Sequence, residues 1–295
     1  MGSYFLSYNE ERNSNQIKLK DELENVKSKY ILKKIFFNLK KGKFLNIIKY
    51  NNKLKNRLDI TINNFKEYSE LFSPIEIEII PIKNKNCEFI KYYQQNENLY
   101  HIYFNDNKNE EIKRNFLKED DKVNKITVII DYEVKSFYNL FSRCNNIESI
   151  HFKKFYRNNI NNMNGIFDGC YSMKKLNLSS FNTDNVTNMS NMFNGCSSLK
   201  ELDLSNFNTN NVTDMHSMFH GCESLKKLNI SSFNTNNVRN MSYMFYQCKS
   251  LNDLDLSNFN TDKVITMYCM FTECSDKLKN KIKKKYNYIK ENAFT

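Results

Sequence analysis

The chain has 295 residues, 40% hydrophobic and 14% aromatic, with a formal net charge of +11 and a mean hydropathy of -0.68. That apolar content excludes wholesale disorder, and the length allows an extended repeat array with a smaller domain in front of it. The charge is uneven: 15 Lys and Arg against 8 Asp and Glu in residues 1–72, 7 against 2 in 275–295, but 10 against 12 in 73–136 and 12 against 11 in 137–274. Lys, Asn, Ile, Phe and Tyr are abundant while Trp is absent and Pro rare, the bias of an AT-rich genome. That bias accounts for the basicity, and a surface for nucleic acid or anionic membrane is the competing reading.

No apolar run reaches the roughly 18 to 20 residues that a membrane-spanning helix needs. The opening residues, Met1 to Asn9, lack the charged and then apolar stretches of a secretory signal. Gly2 heads a poor myristoylation sequence, with Leu6 where Ser or Thr belongs. Residues 1–16 read as a flexible N-terminus. Residues 17–72 read as a helical bundle, with Leu19, Leu23 and Val26 on one face, then Ile31, Leu32, Ile35, Phe36 and Leu39. Phe44, Leu45, Ile47, Ile48, Leu54 and Leu58 come next. This pair of apolar runs faintly resembles an F-box, although the usual Leu-Pro entry is missing. That resemblance implies a substrate adaptor of a ubiquitin ligase working through residues 17–58; the plainer expectation is a capping bundle.

Residues 73–133 read as a small β segment. Pro74 and Pro81 bracket the alternating Ile75, Ile77 and Ile79, with Glu76 and Glu78 on the opposite face. Further strands are expected over 88–93, 99–104 and 125–132. The segment is placed to cover the open N-terminal end of a repeat array that begins at residue 134.

From residue 134 the sequence repeats. Cys144, Cys170, Cys196, Cys222, Cys248 and Cys274 fall 26 residues apart without a slip. Around them runs V-x-x-M-x-x-M-F-x-x-C-x-x-L-x-x-L-x-L-S-x-F-N-T, cleanest over 186–237. The first copy is degenerate but in phase, through Val134, Phe137, Leu140, Phe141, Cys144, Ile147, Ile150, Phe152 and Phe155. In each unit, spacings of three and four, as in Val212, Met215, Met218, Phe219 and Cys222, predict a short helix. The alternation of Leu228 and Ile230 predicts a short strand with Lys227 and Asn229 facing outward. Ser231, Phe233, Asn234 and Thr235 turn the chain back. One such unit cannot bury its own apolar face, so the copies must stack. The expected fold class is an α/β repeat, a leucine-rich-type solenoid over 134–274. Leu278, Ile282 and Ile289, among seven lysines, predict an amphipathic capping helix over 275–295.

The residues that carry this pattern, such as NMFNGCSSLKELDLSNFNTNNVTDM, resemble the BspA-like leucine-rich-repeat family, known for its 26-residue surface-protein repeat. The resemblance implies a solenoid with a parallel strand on one face and a role in protein binding or adhesion, with many members displayed on cell surfaces. The missing signal argues instead for a cytoplasmic location.

Candidate chemistry is thin. A row of thiols suggests soft metal, but no two cysteines have the C-x2-C spacing usual in a zinc site. The cysteines sit in phase with Met and Phe, which predicts a reduced, buried core column. Met189, Met215, Met241 and Met267, with Met192, Met218, Met244 and Met270, read the same way. His216 and His220 have metal-sharing spacing without the Glu of a metalloprotease motif; His101 and His151 stand apart. No nucleophile elbow, phosphate loop or dinucleotide fingerprint is present. No cofactor and no metal is therefore expected, and the chain reads as a non-enzymatic scaffold for an unidentified protein partner. The expected binding face is the outward strand positions: Lys175, Glu201, Lys227 and Asp253 in one column, Asn177, Asp203, Asn229 and Asp255 in the next. The signs alternate along the first column, predicting opposite-charge neighbours between rungs about 4.8 Å apart.

Overall fold

The structure, a computed structural model, describes residues 23, 25–28, 51–58, 73–82, 87–92 and 94–295. The chain divides into two units, Met1–Phe72 and Ser73–Thr295. In the first, a short helix α1 (Asn52–Arg57) begins at Asn51, whose side chain accepts from the Leu54 N–H at 3.0 Å. The Arg57 guanidinium donates to the carbonyls of Val26 and Lys27. Most of the expected bundle over 17–72, and with it most of the F-box-like stretch, lies outside the described residues.

The second unit opens with strand β1 (Ile75–Pro81), followed by β2 (Cys87–Glu88), β3 (Tyr100–Phe104), β4 (Phe116–Leu117) and β5 (Ile126–Ile130). Of the strand expected over 88–93, only Glu88 lies in a strand, although Phe89 and Ile90 are fully buried. In β1 the isoleucines 75, 77 and 79 are fully buried. On its other face Glu76 and Glu78 meet Lys154 and Lys153 at 3.4 and 2.7 Å. Strand β6 (Ile147–Lys154) belongs to the first repeat, and β7 (Lys175–Asn177) to the second. They join the opening strands in one sheet of order β3-β5-β1-β6-β7, antiparallel except for β6 and β7. β1 therefore occupies the edge of β6 that no earlier repeat could fill, which removes an open strand edge.

The segments expected as short helices, 212–222 among them, are turns instead. In an α-helix every N–H returns to the carbonyl four residues back. Here the donors split into two sets. Met189, Asn191, Phe193 and Gly195 give their N–H groups to the carbonyls of Asp214, His216, Met218 and His220 in the next rung, at 3.0, 2.8, 2.9 and 2.7 Å. The intervening Met192, Asn194 and Cys196 close turns onto Met189, Asn191 and Phe193 at 3.3, 3.1 and 3.1 Å. The alternation requires a left-handed residue at two places per rung, and these are Asn191 (φ 55°) and Gly195 (φ 69°). The second place is glycine in three successive rungs, Gly169, Gly195 and Gly221. At Gly195 a Cβ would also come within 3.0 Å of the Tyr171 ring. The same apolar spacing serves a helix and this turn equally, and the glycine before each of Cys170, Cys196 and Cys222 is the signal that separates them.

Inside the stack each repeat position forms a column. Phe141, Phe167, Phe193, Phe219, Phe245 and Phe271 stack ring on ring, with centroids 5.4 to 5.8 Å apart. The six phased cysteines are all buried. From Cys170 onward each thiol donates to the phenylalanine carbonyl 29 residues earlier, as Cys196 does to Phe167 at 3.3 Å and Cys222 to Phe193 at 3.2 Å. Burial pushes the thiols of Cys170, Cys222 and Cys274 up to about 12, which keeps them protonated as donors. The turn after each strand is held by a second column. The buried Thr209 hydroxyl accepts from the Asn234 N–H and donates to the Asn234 carbonyl, both at 2.8 Å. Thr183 serves Asn208, and Thr235 serves Asn260, in the same way. In the first rung this position is Arg157, fully buried, whose guanidinium turns back to the Asp131 carbonyl at 2.5 Å.

The C-terminal end is closed by two devices. Helix α2 (Asp276–Lys285), capped by Ser275, buries Leu278 and Ile282. Ile289, expected on that helix, lies beyond it but is also buried. The residues after α2 then act as a last rung. Asn292 and Ala293 accept the N–H groups of Cys269 and Phe271 at 2.9 and 2.7 Å, and Phe294 continues the ring column at 5.5 Å from Phe271.

These columns lead to two expected outcomes. Thr209→Val strands both a part-buried N–H and a part-buried C=O of Asn234, so the thermal unfolding midpoint should fall in line with a loss of about 1–3 kcal/mol, while Thr209→Ser should recover most of it. Equal melting of all three proteins would show that the threonine column carries no stability. In the native protein a thiol reagent should modify Cys87 and Cys269, the two half-buried cysteines, well before Cys196 or Cys222; mass mapping of the modified peptides reads the order.

Candidate protein-binding face

All eight side chains expected at the surface are exposed: Lys175 and Asn177 on β7, Glu201 and Asp203 on β8 (Glu201–Asp203), Lys227 and Asn229 on β9 (Lys227–Asn229), and Asp253 and Asp255 in the following repeat. The strands do not form one continuous ladder. β6 pairs with β7 and β8 with β9, each in parallel register, whereas β8 and β9 form a separate two-stranded sheet and residues 253–255 are not a strand. Continuity between rungs comes instead from the turn side. Leu176 and Leu228 are half-buried, while Leu202 and Leu254 at the equivalent positions are buried. The open space in front of these rungs is a groove of about 840 Å³, reaching from Leu176 across Leu202 to Leu228 and Asp253. A second hollow of about 770 Å³ shares Leu228 and Asp253 and ends against α2.

The two expected columns differ in what they do. In the second, each side chain is occupied by its own turn. Asn177, Asp203, Asn229 and Asp255 accept from the N–H groups of Ser179, Ser205, Ser231 and Ser257 at 3.0, 3.0, 3.2 and 3.1 Å. The choice of Asn or Asp there reflects that acceptor role. The Ser205 N–H holds the Asp203 carboxyl below its ordinary range. In the first column, Glu201 stands in register with Lys227, yet among the described residues no ion pair forms between Lys175, Glu201, Lys227 and Asp253. Pairing between rungs occurs at other repeat positions instead, Glu148 with Lys174 at 3.2 Å and Glu223 with Lys249 at 2.8 Å.

The last repeat is claimed by the cap. Lys281 reaches Asp253 at 3.1 Å and Lys285 reaches Asp255 at 3.3 Å, while the Tyr286 hydroxyl donates to Asp255 at 2.7 Å. Lys279 and Lys283 of the same helix pair with Asp276 and Glu291. Two lysines of the basic C-terminal run, Lys281 and Lys285, therefore hold α2 against the last repeat. Asp253 and Asp255 leave the set of free surface groups, and Lys175, Glu201 and Lys227 remain.

The histidines divide by environment. His216 and His220 lie on turns rather than on a helix, edge-on to Tyr243 and Tyr246 with centroids 5.7 and 4.9 Å apart. Burial, and then the neighbouring His216, lower the pKa of His220. His101 stands between Glu111 at 2.9 Å and Asp131 at 3.3 Å; burial acts to lower its pKa, and the two carboxylates outweigh that and raise it. Among the described residues no group of three or more His, Cys, Asp or Glu is placed to hold a metal ion, and no helix is long and apolar enough to cross a membrane.

One basic feature escaped the reading of alternate strand residues. The position just before each strand is Lys174, Lys200 and Lys226 in three successive repeats, all exposed. The signal was present as the K in S-x-K, one place upstream of the residues that alternate.

The clamp on Asp255 gives a pH test. Hydrogen bonds from Tyr286 and then from the Ser257 N–H lower its pKa from 3.8 to about 2. A depressed carboxylate contributes stability above its unfolded value that is lost as pH falls through its folded value. The melting midpoint of the wild type should therefore exceed that of Asp255→Asn at neutral pH, with the gap closing as pH falls toward about 2. A gap that stays constant across this range would remove Asp255 from the clamp.

A model of the family described as "Mycoplasma protein of unknown function, DUF285" matches residues 135–229 and again 200–293. No curated protein and no solved structure matches the chain. The two matched spans run together from 135 to 293, through every rung of the stack and the clamped C-terminal helix, and they cover more than half of the sequence. The chain belongs to that family of Mycoplasma proteins of unknown function.

Proposed function

We propose that the stack is a leucine-rich-type solenoid of the BspA-like kind and that the protein is a non-enzymatic scaffold that binds another protein through its strand face. One observation carries this reading: within a repeat whose other polar side chains are largely spent on the fold, the column Lys175, Glu201 and Lys227 is exposed and has no side-chain hydrogen bond or ion pair among the described residues. The threonines, asparagines and serines of the turns bind neighbouring backbone, and the second outward column caps its own turns. The first outward column is also where charge changes sign from copy to copy, in a unit whose Val, Met, Phe, Cys and Leu positions stay apolar throughout. Variable groups on a regular face are how stacked repeats distinguish partners. Protonated, buried thiols suit a reducing compartment.

Most of residues 17–58, on which the adaptor reading rests, lie outside the described residues. The nucleic-acid or membrane reading loses much of its basis at the C-terminus, where four of the seven lysines are already paired.

The test is column reversal. A partner captured by the wild-type protein should be lost from Lys175→Glu/Glu201→Lys/Lys227→Glu, while the melting midpoint moves little, since exposed pairs are each worth about 0–1 kcal/mol. Retained binding in that variant, with loss on altering residues 17–58, would transfer the function to the N-terminal unit.

A further inference from the structure

Both nitrogens of the His101 ring face carboxylate oxygens: Nδ1 lies 2.9 Å from Glu111 Oε1, and Nε2 lies 3.3 Å from Asp131 Oδ2. A carboxylate oxygen only accepts, so both contacts are hydrogen bonds only when each ring nitrogen carries a proton. The site is thus built for an imidazolium, and a neutral ring must turn a lone pair toward one of the two carboxylates. Glu111 belongs to the segment along the outer edge of β3, where Ile102 bridges to Ile112. Asp131 follows β5 and joins the N-terminal strands to the stack. Its N–H donates to the Leu99 carbonyl at 2.9 Å, and its carbonyl accepts from the buried Arg157 of the first rung at 2.5 Å. The Nε and Nη2 of that guanidinium have no hydrogen-bond partner. Burial lowers the Arg157 pKa to about 10, and Asp131 is the largest influence opposing it. The other charged groups around His101 are engaged elsewhere. Lys113 pairs with Glu111 at 2.7 Å. Across the sheet His101 stands in register with Ile129 of β5 and, one strand further, with Glu76 of β1, which Lys154 holds at 3.4 Å. Tyr103 lies two residues along the same face of β3, and Tyr132 and Glu133 follow Asp131 in the turn.

We propose that His101 is a pH-sensitive latch between the N-terminal strands and the stack: as an imidazolium it ties Glu111 and Asp131 to β3, and on losing its proton it keeps Glu111 and releases Asp131. The Glu111 contact is the shorter of the two, so the remaining ring N–H stays there. The Nε2 lone pair then opposes the Asp131 carboxylate, and the residue that anchors Arg157 loses its side-chain tie to β3. The proton has a path to solvent, because 31% of the His101 side chain is exposed. Burial lowers the pKa of His101, and the two carboxylates together outweigh it and raise the pKa above 6.5. A group whose folded pKa is raised contributes stability that is complete below its unfolded value and is lost as pH rises through its folded value. The latch is therefore closed in mildly acidic surroundings and open in alkaline ones. It does not depend on which face of the stack binds a partner.

Three measurements on the full chain test the latch. In the first, NMR follows the imidazole signals of the four histidines through a pH titration of the wild type, Glu111→Gln and Asp131→Asn, with His101→Gln identifying the His101 signal. The His101 midpoint should lie above 6.5 in the wild type and fall in both carboxylate variants. A wild-type midpoint at or below 6.5, or one indifferent to both substitutions, overturns the proposal. In the second, the melting midpoint of the wild type should exceed that of His101→Gln in mild acid, and the gap should be lost as pH rises through the measured His101 midpoint. A gap that is constant or widens with pH overturns it equally. The third locates the release by hydrogen exchange, corrected for the intrinsic effect of pH. Protection of the Asp131 amide should be lost as His101 deprotonates, while that of Ile112, bonded to the Ile102 carbonyl at 2.8 Å, should remain. Unchanged protection of Asp131 would leave His101 as a surface ion pair and defeat the latch. This last measurement needs only the wild type, so it decides the question where His101→Gln is too unstable to study.

Discussion

The structure depends on one interaction, the hydrogen bond from a turn N–H in one rung to a turn carbonyl in the next. Backbone donors need partners when buried, and a helix would supply them locally. In this chain the left-handed residues, such as Asn191 and Gly195, swing alternate N–H groups out of the rung. No rung can then satisfy its own backbone. The side-chain columns are a consequence of that ladder: rings stack because their backbones are held in register, and the thiols and threonine hydroxyls then lie against carbonyls of adjacent rungs.

A repeat that cannot satisfy itself leaves two open ends, and the chain closes them differently. At the N-terminal end the problem is a strand edge, and a strand solves it: β1 pairs antiparallel with β6 and carries β5 and β3 behind it. At the C-terminal end the problem is a row of turn donors, and residues 292–293 accept the last two while Phe294 covers the last ring. α2 is held over the final repeat by lysines and a tyrosine acting on Asp253 and Asp255. Two lysines of a tail that invites a polyanion by composition thus serve the fold.

The demand for polar partners also isolates the few exposed groups that the fold does not use. The Asn, Ser and Thr of the turns bond to backbone within or between rungs, and Asn177, Asp203 and Asn229 cap their own turns. The remainder on the strand side is a narrow set, Lys175, Glu201 and Lys227 with Lys200 and Lys226 beside them, over a groove floored by leucine. A solenoid scaffold is the proposal that uses that remainder, and the family match, to a description without a known function, leaves it open to experiment.

Much was legible in the sequence because the repeat is strict. Six cysteines at one spacing, with Met, Phe and Leu in phase, determined that the copies stack and which side chains are buried. The alternation of Ile75, Ile77 and Ile79 between prolines marked β1. Periodicity alone could not separate a helix from a chain of turns, since both bring residues three and four apart to one face; the difference lies in where the N–H groups go, which involves the next rung. Likewise the sequence displayed eight outward strand residues as equals. Only the fold showed that Asp253 and Asp255 are met by Lys281, Lys285 and Tyr286, about 30 residues away, and that the second column caps turns. Burial pattern is a property of each residue's own segment and is written locally. The partners of a polar group are set by whichever segment the fold brings against it, and for these residues that was decided in three dimensions.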